Sequence, residues 1–116
     1  MATRKNNDEV SELRFTYDEV EYILEYDRDS ALQTEKIYDV SLNDIRNGKL
    51  ASFDGLFKGA FIKHHARLNP AMIEKFWGMM PNKAELFKNL TIMYTNAIST
   101  LMEEPAAGKA ISWTAK

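Results

Sequence analysis

The chain has 116 residues, no cysteine, 45% hydrophobic and 11% aromatic residues, and a formal net charge of −2. One domain with one core suits that length; disulfides, thiolate nucleophiles and thiolate metal sites are excluded, and a reducing compartment is the natural setting. Interspersed charge of both signs gives no long-range field for non-specific nucleic-acid binding, and no apolar stretch approaches the roughly 18 uninterrupted residues of a membrane span.

Residues 1–9 are a polar lead-in, expected to be mobile and, with no apolar run behind them, not a signal peptide. The domain is expected over 10–104 and a flexible tail over 105–116. From Leu13 the pattern alternates, with Leu13, Phe15 and Tyr17 apolar and Arg14 and Thr16 polar between them; Val20, Tyr22, Leu24 and Tyr26 repeat it. If Asp18 and Glu19 form a two-residue loop, Tyr17 faces Val20, Phe15 faces Tyr22 and Leu13 faces Leu24, which puts the apolar set on one side. Asp-Glu suits a type I′ turn poorly, so a longer or bulged loop is also open. A lone hairpin is marginal in water, and its apolar face needs helices beneath it.

Asp29 to about Tyr38 predicts a short helix, with Leu32, Lys36 and Ile37 too sparse to fix a face. Ser41–Ile45 suggests a further turn, and Asn47-Gly48 punctuates the chain. Leu50 to Leu68 carries the clearest helical ladder, through Phe53, Phe57, Ala60, Phe61 and His64. Gly55 and Gly59 lie inside it, and each costs up to about 1 kcal/mol against alanine, which points to close packing of another element. Asn69-Pro70 ends that helix and caps the next, whose apolar face is Met72, Ile73, Phe76, Trp77 and Met80 up to Pro81. Asn82 with Glu85 predicts a capping box opening a long helix to about Met102, striped by Leu86, Leu90, Met93, Ala97 and Leu101. The expected fold is α+β, mainly α, with an N-terminal β-hairpin packed on a bundle of about four helices.

Catalytic, cofactor and metal residues are not found. His64 and His65 are adjacent and diverge by about 100° on a helix, which defeats the i, i+4 pairing of a helical metal site. His64 is expected at the core edge, bonded to backbone, and His65 in solvent. No nucleophile motif, phosphate loop or dinucleotide fingerprint occurs, and the 17 acidic residues are scattered. Lys58, Lys63, His65 and Arg67 form a modestly basic strip best read as a solvated face. Met72, Met79, Met80, Met93 and Met102 supply adaptable side chains, serving either a tight core or a protein interface. Ile111 and Trp113, two apart, project to one side of an extended strand, either to dock on a partner by β-augmentation or to fold back on the domain. The candidate partner-binding residues are therefore Phe76, Trp77, Met80, Ile111 and Trp113.

The order Phe15-Thr16-Tyr17, Tyr22-Ile23-Leu24-Glu25-Tyr26, Arg28, Leu56-Phe57-Lys58-Gly59-Ala60-Phe61-Ile62-Lys63-His64-His65, Pro81-Asn82-Lys83-Ala84-Glu85-Leu86, Met93-Tyr94 and Leu101-Met102-Glu103-Glu104-Pro105 resembles the small tail assembly chaperones of long-tailed (siphovirus) bacteriophages of Gram-positive hosts. The similarity runs from about Phe15 to Pro105, with Asp18-Glu19 where relatives often carry Asn-Gly. The resemblance implies a non-enzymatic protein of the host cytoplasm that binds the tape measure protein, keeps it soluble and recruits tail tube subunits, and that is absent from the mature virion. Self-association is compatible with that role. Rival expectations are a structural tail or head–tail connector subunit retained in the virion, and a small phage regulator that binds a host protein.

Overall fold

The computed structural model describes residues 10–116, so the lead-in expected over 1–9 lies outside the described residues. Two strands, β1 (Glu12–Tyr17) and β2 (Val20–Glu25), pair antiparallel with Tyr17 opposite Val20, Phe15 opposite Tyr22 and Leu13 opposite Leu24. That is the register the alternation predicts. The loop is the two-residue one: Asp18 has φ 52° and Glu19 φ 67°, the positive pair a type I′ turn requires. Neither residue is glycine, so each bears a left-handed cost of roughly 1–2 kcal/mol. The strand register, fixed by the buried face, outweighs it.

Six α-helices follow among the described residues: α1 (Arg28–Tyr38), α2 (Leu42–Arg46), α3 (Leu50–Gly59), α4 (Ile62–His65), α5 (Pro70–Met79) and α6 (Lys83–Ser99), with a 3₁₀ turn at Thr100–Met102. The fold is α+β and mainly α, a hairpin laid on helices, with two short helices more than the four expected. Leu24, Leu56, Phe57, Phe61, Phe76, Leu90 and Tyr94 fill the centre of the core.

A reciprocal capping box starts α1: the Asp27 carboxylate accepts from the Ser30 N–H at 2.8 Å, and the Ser30 hydroxyl accepts from the Asp27 N–H at 3.0 Å. The helix buries Ser30, Ala31 and Thr34 and leaves Ile37 exposed. This small-residue face lets α3 approach closely. A Cβ at Gly59 would collide with the Thr34 side chain and lie 2.7 Å from the Tyr26 hydroxyl; one at Gly55 would stand 2.6 Å from a Val40 methyl. The two glycines serve close packing, as their place in the sequence suggests.

The single helix expected over Leu50–Leu68 is broken at Ala60–Phe61. The Ala60 carbonyl accepts the Glu25 N–H at 3.0 Å, and the His65 Nε2 accepts the Ile23 N–H at 3.0 Å. Both donors belong to the edge of β2 that β1 does not use, so the break lets the Ala60 carbonyl and the His65 ring cover an otherwise unpaired strand edge. A second correction concerns α6. Asn82 occupies its N-cap position, but at φ 55° and without a side-chain cap hydrogen bond. Pro81 holds Met80 extended (φ −73°, ψ 126°), and the left-handed Asn82 completes the reversal, so the capping box with Glu85 does not form. Asn69 does cap α5, its side chain accepting from the Ala71 N–H at 2.8 Å.

Candidate protein-binding surface

The end of α5 and the end of β1 meet at an apolar groove. Because Met80 turns out of the helix ahead of Pro81, Met79 and Met80 line its rim; Phe15, Thr16 and Tyr17 form the strand wall, Phe76 the floor and Pro81 the end, around a volume of about 200 Å³. Phe76 is held by rings from three sides, with centroids at 5.1 Å from Phe15, 5.3 Å from Tyr17 and 4.9 Å from Tyr22. Above the rim the Lys75 ammonium stands over the Tyr17 ring at 5.4 Å. The volume falls below the roughly 300–1,000 Å³ of small-molecule pockets and matches the scale of a side chain.

The strand wall matters for a second reason. The N–H groups of Ile23 and Glu25 point away from β1 to His65 and Ala60, so their opposite numbers Arg14 and Glu12 are in non-hydrogen-bonded pairs, with backbone groups directed outward. Thr16, two further on, shares that edge. Among the described residues no backbone hydrogen bond reaches it. Among the described residues one sheet edge is thus covered and the other left unpaired beside an apolar groove.

The predicted site residues are divided. Phe76 and Met80 belong to the groove, although Phe76 is buried as its floor. Trp77 lies elsewhere, its ring 5.0 Å from Phe57 and under the Lys83 ammonium at 5.5 Å; the next position along a helix points about 100° away. Ile111 and Trp113 do not fold back on the domain: they are 87% and 82% exposed in a tail that is exposed from Glu103 onward. Phe15, Tyr17 and Pro81 also line the groove without being among the candidates, and Met79, offered by the sequence only as core or interface, joins them. Their signal was present in a hairpin face too aromatic for its area and in Met79-Met80 stalled before a proline.

The histidines exchange the roles expected of them. His65 is half-buried, accepts the Ile23 N–H and packs on Tyr22 at 5.1 Å; burial, helped by the neighbouring His64, lowers its pKa. His64 faces outward and pairs with Glu25 at 2.8 Å, beside a Lys63–Glu25 pair at 2.6 Å. Partial burial raises the Glu25 pKa, but the hydrogen bonds from His64 and Lys63 together hold it below the ordinary value. Lys58 is paired with Asp54 and Glu74 at 3.0 and 3.3 Å, so the basic strip is largely internally neutralised. Among the described residues no cluster of three potential ligands is set to hold a metal, and no helix is long and apolar enough to cross a membrane.

At the opposite end of α6 a more polar hollow is lined by Val10, Glu25, Arg28, Met93 and Asn96 among others. There Arg28 donates to the Thr100 hydroxyl at 3.2 Å and to the Thr100 carbonyl at 2.8 Å, fixing the point from which the tail leaves.

Residues 1–116 match a family model described as a domain of unknown function, DUF5055. No curated protein and no solved structure matches.

Proposed function

We propose that this chain, which belongs to the DUF5055 family of domains of unknown function, is a tail assembly chaperone of a long-tailed bacteriophage. In this reading it binds the tape measure protein in the host cytoplasm, keeps that long helical client soluble, recruits tail tube subunits and stays out of the finished virion. It acts by binding and not by catalysis. The observation that carries the reading is the apolar groove of Phe15, Tyr17, Phe76, Met79 and Met80 beside a strand edge that no described residue pairs, on a molecule that also exposes Ile111 and Trp113. The only polar side-chain atoms in that lining are the hydroxyls of Thr16 and Tyr17. Such a surface suits an apolar segment of another polypeptide, and holding segments of that kind is what an aggregation-prone client requires.

The resemblance noted above supplies the identity of the client. The test is co-expression with the tape measure protein. Wild type is expected to raise the soluble, co-purifying fraction of the client several-fold, and Met79→Lys, which sets a charge in the groove at a 49% exposed position, to remove that gain. Equal rescue by wild type and variant would sink the groove as client site. A stoichiometric copy number in purified virions would instead support a structural subunit.

A further inference from the structure

We propose that the groove and the outer edge of β1 take the tail of a second copy of this chain: residues 110–114 add to β1 as a strand, with the Trp113 side chain in the groove. Three independent observations select this occupant.

The first is geometric. The backbone groups of Glu12, Arg14 and Thr16 face outward and, among the described residues, accept and donate no backbone hydrogen bond. A strand added there sets alternate side chains on the face that carries Leu13, Phe15 and Tyr17. Ile111 and Trp113 are two apart, so both fall on that face, next to the groove. Both are more than four-fifths exposed where they stand, and the residues between and beside them, Ala110, Ser112 and Thr114, are small enough to lie on the opposite face beside Glu12, Arg14 and Thr16.

The second is size. A hollow of about 200 Å³ holds one large side chain and not a cofactor. Of the large apolar side chains that the described residues leave most exposed, Trp113 is the only aromatic, and an aromatic anchor in a pocket beside an extended backbone is how strand addition gains its specificity.

The third is charge. The hairpin, residues 12–25, carries Glu12, Asp18, Glu19, Glu21 and Glu25 against Arg14, a net charge of −4. Residues 105–116 carry Lys109 and Lys116 and no acidic side chain, a side-chain charge of +2. The segment best matched to the groove in shape is also opposite to the hairpin in sign, which steers encounter between copies.

Donor and acceptor are different surfaces, so the contact joins unlike faces of two copies. It shares the docking groove with the chaperone reading but involves no client; the test therefore uses the chain alone, and its failure leaves the client-solubility test standing.

The experiment measures solution mass by light scattering over a concentration series, for four samples: wild type, a chain ending at Pro105, Met79→Lys, and an equimolar mixture of the last two. Wild type is expected to rise above the monomer mass with concentration. The truncated chain, which keeps the groove, and Met79→Lys, which keeps the tail, are each expected to stay monomeric. Their mixture is expected to regain a dimer, since one supplies the groove and the other the tail. Trp113→Ala is expected to weaken wild-type association by about tenfold or more, as loss of an aromatic anchor does. A wild type that remains monomeric throughout, as it would if the tail docked on its own groove, overturns the proposal. So does a truncated chain that associates as strongly as wild type, or a mixture that yields no dimer.

Discussion

His65 does a backbone's work with a side chain. The Ile23 N–H points out of the sheet into a half-buried space, and the imidazole supplies the acceptor that a third strand would have provided. Only the neutral ring can accept there. Burial, with His64 beside it, sets the folded-state pKa below the ordinary 6.5, so between those two values the unfolded chain holds a proton that the folded chain does not. The contribution of His65 is thus complete above about pH 6.5 and is lost as pH falls through the folded value. The pKa of Glu25 is likewise lowered, from 4.5, so its own contribution declines only below that more acid point. A melting temperature that drops between about pH 7 and pH 5.5, with a shallower slope in His65→Ala, is the expected signature. At neutral pH His65→Ala should cost about 1–3 kcal/mol in urea unfolding, because the N–H is left unpaired, and His64→Ala within about 0.5 kcal/mol. The reverse order would mean that the outward histidine carries the structure. Nothing in the pair His64-His65 distinguishes the two as letters; the choice is made by a strand some forty residues earlier in the chain.

At the level of elements, α3 shows how packing overrides local preference. Gly59→Ala gains about 1 kcal/mol of helix propensity yet drives a methyl into Thr34 and the Tyr26 hydroxyl. That hydroxyl donates to the Leu56 carbonyl at 2.5 Å, so it has no room to retreat, and net destabilisation of about 1–3 kcal/mol is expected. Gly78, in α5, meets nothing within 4 Å of an added Cβ, and Gly78→Ala should stabilise by about 0.5–1 kcal/mol. Chemical denaturation of the two variants side by side checks both signs. The hairpin was legible in the sequence because, with a two-residue loop, the alternation sets Leu13, Phe15, Tyr22 and Leu24 on the same side; the loop length itself was not, since Asp18-Glu19 is a poor type I′ pair that the structure nonetheless uses. The break at Ala60 was not, since the ladder from Leu50 to Leu68 runs through it unchanged. What ends α3 is the demand of Glu25 and Ile23 for acceptors, a tertiary term with no trace in helical spacing. The false capping box at Asn82 has a local origin instead: Pro81 holds Met80 extended and Asn82 is left-handed, so its side chain makes no cap.

Across the whole molecule, the order of β1 and α5 in space decides what the surface offers. The apolar excess of Phe76, Met79 and Met80 was visible as composition, but the groove was not, because half of its wall is Phe15 and Tyr17, some sixty residues earlier in the chain. Trp77 looked equivalent to its neighbours and turned out to face Phe57. The tail contributes nothing to the core, being exposed from Glu103 to Lys116. Ending the chain at Pro105 should therefore leave the unfolding free energy of the monomer within about 0.5 kcal/mol of wild type, as read by denaturant titration at low concentration, and a larger loss would show that the last residues pack on the fold. The tail is anchored all the same. Arg28 grips the Thr100 hydroxyl and carbonyl, and Arg28 is itself the first residue of the helix that Asp27 and Ser30 lock in place. Tension applied to the tail arrives first at Thr100, where it divides between the backbone of α6 and the Arg28 guanidinium that leads into α1, so a pull on the last residues is shared by two helices of the core.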